Sequence, residues 1–134
     1  MEVRALVVDD DQLLLRLVEI NLTKIGVKVL TAPSGREALR LASAERPHII
    51  LLDIMMPGMD GYEVLRQLKA SDETRDIPII MLTAKTGMED REKCLEMGAV
   101  VYMTKPFKLE ELREMVKRLV FSGDNPGRNG RPPR

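Results

Sequence analysis

The chain has 134 residues, a length that suggests one domain, and its 44% hydrophobic and 31% charged residues are the mix of an ordinary globular protein. Lys plus Arg and Asp plus Glu both total 21, so the formal net charge is zero, which argues against direct nucleic-acid binding by bulk electrostatics. The lone Cys94 excludes an internal disulfide and fits a cytoplasmic setting, and apolar runs as short as 49–52 exclude membrane insertion.

In chain order, nearly continuous apolar runs occur at 5–8, 49–52, 79–82 and 100–103, the pattern of strands buried on both faces. A weaker run at 27–31 carries Lys28 and reads as a strand nearer an edge. The first helical segment shows Leu13, Leu14, Leu17, Val18, Ile20 and Ile25 as its apolar stripe. The second opens on Ser34-Gly35-Arg36-Glu37, a capping box in which hydroxyl and carboxylate satisfy backbone N–H groups reciprocally. Gly26 and Gly98 stand where helices would end in the left-handed conformation. The segment 86–97 has only Met88, Cys94, Leu95 and Met97 against many charges. The last helix has a full apolar face of Leu109, Leu112, Met115, Val116, Leu119 and Val120. Five strand–helix repeats predict an α/β fold with a five-stranded parallel sheet covered on both sides. The domain is expected over 1–121. Residues 122–134 are Gly/Pro/Arg-rich and lack apolar residues, so a flexible tail or linker stub is expected there.

In such a sheet, functional residues gather beyond the carboxyl ends of the strands. There stand Asp9-Asp10-Asp11, Asp53, Thr83-Ala84 and Thr104-Lys105-Pro106. Carboxylates about 4–5 Å apart repel by roughly 3–4 kcal/mol at an effective dielectric of about 20, so the cluster needs a proton or a cation. Hard carboxylate and carbonyl oxygens suit Mg2+. Helix N-capping accounts for Asp11 but not for an acid after the third strand and a Lys after the fifth.

The blocks Val7-Val8-Asp9-Asp10-Asp11, Leu52-Asp53-Ile54-Met55-Met56-Pro57-Gly58-Met59-Asp60-Gly61, Leu82-Thr83-Ala84 and Tyr102-Met103-Thr104-Lys105-Pro106 together closely resemble the receiver domain of two-component response regulators, chemotaxis-regulator-like. The resemblance covers about residues 3 to 120. It implies a flavodoxin-like (βα)5 three-layer sandwich with strand order 2-1-3-4-5. It implies a stand-alone phosphoacceptor rather than an enzyme, taking a phosphoryl group from a histidine kinase or phosphotransfer protein onto Asp53, with Mg-dependent self-phosphorylation and autodephosphorylation. Asp9, Asp10, Asp53 and the backbone carbonyl of Met55 would hold Mg2+, with Mn2+ as a substitute. Thr83, the Ala84 N–H and Lys105 would contact phosphoryl oxygens, and Lys105-Pro106 would be cis. Thr83 and Tyr102 would form a switch, against the plainer reading of a half-buried Tyr whose hydroxyl finds water. Output would run through the face made by the fourth helix, fifth strand and fifth helix to a downstream protein, with homodimerisation on phosphorylation as a further implication.

Three rival readings remain at this stage. A haloacid-dehalogenase-like phosphatase would use Asp9 of the Asp-x-Asp motif as nucleophile, although Leu13 departs from that class's pattern. An FMN-binding flavodoxin-like module would want Ser, Thr and Gly after the first strand. A non-phosphorylated pseudo-receiver would serve only as an interaction module.

Overall fold

The computed structural model describes residues 2–121, and the tail expected over 122–134 lies outside them. Strands β1 (Val3–Val8), β2 (Val27–Ala32), β3 (Ile49–Leu52), β4 (Ile79–Thr83) and β5 (Val101–Thr104) alternate with helices α1 (Gln12–Thr23), α2 (Gly35–Glu45), α3 (Gly61–Ala70), α4 (Met88–Glu96) and α5 (Leu109–Val120). The strands form one parallel sheet in the order β2-β1-β3-β4-β5, as expected. No helix among the described residues is long and apolar enough to cross a membrane.

The continuous apolar runs follow from two cores, one on each face of the sheet. Leu6, Val8, Ile50, Leu52, Ile79 and Met81 pack with α2, α3 and the buried Cys94 of α4. Their alternates Ala5, Val7, Ile49, Leu51, Ile80 and Leu82 pack with α1 and α5. Each apolar residue of a central strand therefore has a core to enter on its own side, and no polar alternation is needed. The edge strand β5 departs from this reading, because of its residues only Tyr102 is buried.

The apolar stripe expected on α1 is divided. Val18 is buried beside Leu15 and Leu22, and Leu14 and Ile25 pack against the same core, whereas Leu13, Leu17 and Ile20 are 70%, 41% and 43% exposed. The helix carries more aliphatic residues than its inner face can cover, so periodicity picks out Leu14, Val18 and Ile25, misplaces Leu13, Leu17 and Ile20, and passes over Leu15 and Leu22. The buried position between them is polar: the Asn21 amide donates to the Leu17 carbonyl at 2.8 Å.

The capping box at α2 is half formed. Ser34 Oγ accepts the Glu37 N–H at 3.3 Å, but the Glu37 carboxylate turns to Arg40 on the next turn. Gly26 and Gly98 adopt φ of 84° and 111°, the left-handed helix ends anticipated for them.

Candidate functional site

The carboxyl ends of β1 and β3 lie side by side, because Val8 pairs with Leu52 and the Asp53 N–H donates to the Val8 carbonyl at 3.1 Å. This places the next residue of each strand, Asp9 and Asp53, at one spot; both are buried, while Asp10 is exposed beside them. Oxygens of Asp9, Asp10 and Asp53 lie within 4.8 Å of one another. Asp11 is the N-cap of α1, its Oδ1 accepting from the Leu13 and Leu14 N–H groups at 3.0 and 3.2 Å. The Asp9 Oδ1 is in turn fixed by the Asp11 N–H at 2.9 Å, and the Asp53 Oδ1 by the Met55 N–H at 3.2 Å.

Lys105 enters from the other side of β4. Thr83 pairs with Thr104, and the Lys105 N–H donates to the Thr83 carbonyl at 2.8 Å. Its Nζ then reaches Asp9 Oδ2 at 2.6 Å and Asp53 Oδ2 at 3.4 Å. The Lys105-Pro106 bond is cis. Burial raises the Asp9 pKa above its ordinary 3.8, against the hydrogen bonds from Lys105 and the Asp11 N–H. Burial would lower the Lys105 pKa, but the Asp9 hydrogen bond and the two carboxylate charges outweigh it, so the ammonium is held above its ordinary 10.5. The arrangement is one of fixed negative oxygens with a single aimed ammonium, which suits a small anion bridged to a hard cation.

Thr83 is fully buried at the end of β4, its Oγ accepting the Lys85 N–H at 3.3 Å, and Ala84 is exposed immediately beyond. Tyr102 is 7% exposed and its hydroxyl donates to the Lys85 carbonyl at 2.8 Å, so its partner is main chain rather than water. Burial raises the Tyr102 phenol to about 12. Met55 is 55% exposed and lines, with Ile54, Met56, Pro57, Asp60, Tyr62 and Lys85, a groove beside Asp53. His48 lies at the opposite end of the sheet, where its Nδ1 accepts the Arg4 N–H at 3.0 Å.

The helix after β3 is held against Asp53 by a close approach. A Cβ on Gly61 would stand 2.2 Å from the Asp53 carbonyl oxygen and 2.6 Å from the Ile54 Cα, so only glycine fits. The next residue, Tyr62, is one the sequence reading passed over. Its hydroxyl donates to Asp90 on α4, and the Lys93 Nζ sits 4.0 Å over its ring. Asp90 and Lys93 fall among the charges that outnumber the apolar residues of 86–97, and nothing in their spacing signals an aromatic partner on α3.

Comparison with known proteins agrees with this geometry. The family model described as "Response regulator receiver domain" matches residues 5–117. The alkaline phosphatase synthesis transcriptional regulatory protein PhoP of Bacillus subtilis is 43% identical over 120 residues, covering 90% of this chain and 49% of its own. The chain thus spans about half the length, or less, of the curated relatives it matches. Among solved structures, the chemotaxis protein CheY4 of Vibrio cholerae superposes with a TM-score of 0.83 at 33% identity, covering 89% of this chain and 99% of its own. The receiver domain of the sensor histidine kinase PA1611 of Pseudomonas aeruginosa, solved with a magnesium ion coordinated in its active-site cleft, gives 0.81 at 35% identity, covering 90% and 98%.

Proposed function

The chain belongs to the response regulator receiver domain family, and from that premise we propose that Asp53 accepts a phosphoryl group from a histidine kinase or phosphotransfer protein and that the modified domain signals through protein contacts. One observation carries the reading: the buried Asp53 carboxylate lies 3.4 Å from the Lys105 ammonium, inside a cluster of three carboxylates whose oxygens fall within 4.8 Å. An Asp53 oxygen forms the new P–O bond as the donor's P–N bond breaks, its electron pair leaving with the imidazole. Lys105 follows the charge onto the phosphoryl oxygens as a point charge. The Thr83 hydroxyl and the Ala84 N–H serve the remaining oxygens.

Asp9, Asp10, Asp53 and the Met55 carbonyl are assigned to Mg2+, with Mn2+ able to use the same hard donors. The donor set fits: it is all oxygen, crowded with negative charge, and open on the side of the exposed Asp10. When bound, the ion would neutralise charge shared by the carboxylates and the incoming phosphoryl group.

Self-phosphorylation from small phosphodonors and autodephosphorylation belong to the same reading, with Met55 and Lys85 flanking the approach of water. Thr83 and Tyr102 are the proposed switch, since both bond to the backbone of Lys85 in the β4–α4 loop. The proposed output surface is the face of α4, β5 and α5, where a downstream protein or a second phosphorylated copy would dock. The proposed domain boundary is 1–121.

The deciding experiment is incubation with acetyl phosphate and Mg2+, comparing the parent with Asp53→Asn by intact mass. The expected result is one added phosphoryl group on the parent and none on the variant. Equal labelling would remove Asp53 from its role, and an adduct mapped to Asp9 would restore the phosphatase alternative.

A further inference from the structure

Helix α4 is held in place by an unusual balance of contacts. Cys94 is its one buried side chain, whereas α5 buries Leu112, Val116 and Leu119. Polar contacts supply the rest. The Tyr62 hydroxyl donates to Asp90 Oδ1, Lys93 lies 4.0 Å over the Tyr62 ring, and the Arg91 guanidinium donates to the Tyr102 carbonyl at 3.2 Å. The same Asp90 Oδ1 that takes the Tyr62 hydroxyl stands 3.9 Å from the Lys85 Nζ. Tyr62 is not free to follow α4 outward, because Gly61 beside it is pressed against the Asp53 backbone and its N–H donates to the Ile54 carbonyl at 2.8 Å.

Lys85 is therefore tied at three atoms. Its N–H donates to Thr83, its carbonyl accepts from Tyr102, and its ammonium faces Asp90 at the rim of the groove beside Asp53. We propose that Tyr62 and Asp90 are positioning residues for the phosphoacceptor site, a clasp that fixes α4 to α3 and holds the Lys85 ammonium on Asp90. The proposal rests on the reading of Asp53 as phosphoacceptor. A phosphoryl group there presents Lys85 with a second, stronger anion. Transfer of the ammonium from Asp90 to the phosphoryl oxygens removes one of the charges that steady α4, so the site reports to α4 through a side-chain route separate from Thr83 and Tyr102.

Two measurements test this. The first is hydrogen exchange of the unphosphorylated protein. Tyr62→Phe, which keeps the ring and its packing, is expected to speed exchange across residues 88–96 and leave α5 unchanged; parental exchange in α4 would overturn the clasp. The second is phosphoryl lifetime in the parent, Asp90→Asn, Lys85→Gln and the double variant. Asp90→Asn frees the ammonium to shield the phosphoryl group, so the lifetime should lengthen by about threefold, the scale of a partly exposed ion pair. In the Lys85→Gln background the same substitution should have no effect. An equal effect with and without Lys85 would overturn the positioning role, since a merely structural Asp90 would act in both. Failure of the underlying reading looks different: Asp53→Asn would then label like the parent, while the exchange result would stand by itself.

Discussion

Lys105 lies 2.6 Å from one buried carboxylate and 3.4 Å from another, and that single ammonium offsets a repulsion of roughly 3–4 kcal/mol per carboxylate pair at an effective dielectric of about 20. Replacing it strands Asp9 and Asp53 in a poorly solvated pocket. Lys105→Ala is expected to lower stability by about 2–3 kcal/mol in metal-free buffer, somewhat less than a fully buried pair because the lysine retains some exposure. Urea denaturation checks this, and Mg2+ should recover part of the loss. The site was legible in the sequence at this scale because its chemistry is written in charged residues at strand ends, where topology leaves them no choice of neighbours. Tyr62 was not legible for the opposite reason. Its role depends on a hydroxyl meeting a carboxylate 28 residues away across two helices, and no local pattern encodes that.

At the scale of elements, the seam between β3 and α3 is the tightest part of the site. Gly61→Ala would drive a methyl into the Asp53 and Ile54 backbone, atoms that no rotamer change can move aside. A loss of about 2–3 kcal/mol is expected by thermal or chemical denaturation, together with slower labelling by acetyl phosphate at the proposed acceptor Asp53 as it is displaced. Helix α4 is the other extreme. With one buried side chain against the three of α5, its amides should exchange well before those of α5 in the native protein. Strands were easier to place than helix faces for a physical reason. A central strand buried on both sides needs only an apolar run, so β1, β3 and β4 were found to within a few residues. Helix α1 must choose one side, and it carries aliphatic residues on both. Leu13, Leu17 and Ile20 satisfied the period as well as Leu15 and Leu22 did, yet it is the latter pair that the sheet covers. The exposed three are left as an apolar face on the helix that Asp11 caps.

For the whole molecule, the acidic cluster makes stability a function of pH and metal together. Asp9 has its pKa raised by burial, so its contribution is complete below its ordinary value of 3.8 and is lost as pH rises through the higher folded value. Lys105 is also raised, and its contribution persists across neutral pH and is lost only above its ordinary 10.5. Metal-free protein should therefore lose the Asp9 part of its stability on going from acid to neutral pH, while the lysine still holds the cluster. A divalent cation acts in the opposite sense. It competes with the proton for the same oxygens, so Mg2+ affinity should rise with pH as Asp9 ionises. At neutral pH and 100 times its Kd the ion adds about 2.7 kcal/mol to the folded state. Melting curves with and without Mg2+ at mildly acid and neutral pH read both effects at once. The Mg2+ increment should shrink toward acid pH in the parent. In Asp9→Asn, which keeps an acceptor for the Asp11 N–H but no charge, the metal-free protein should be at least as stable as the parent at neutral pH and gain much less from Mg2+. An undiminished Mg2+ increment in that variant would mean that the ion is held elsewhere, and the assignment of the three carboxylates to one cation would fall with it.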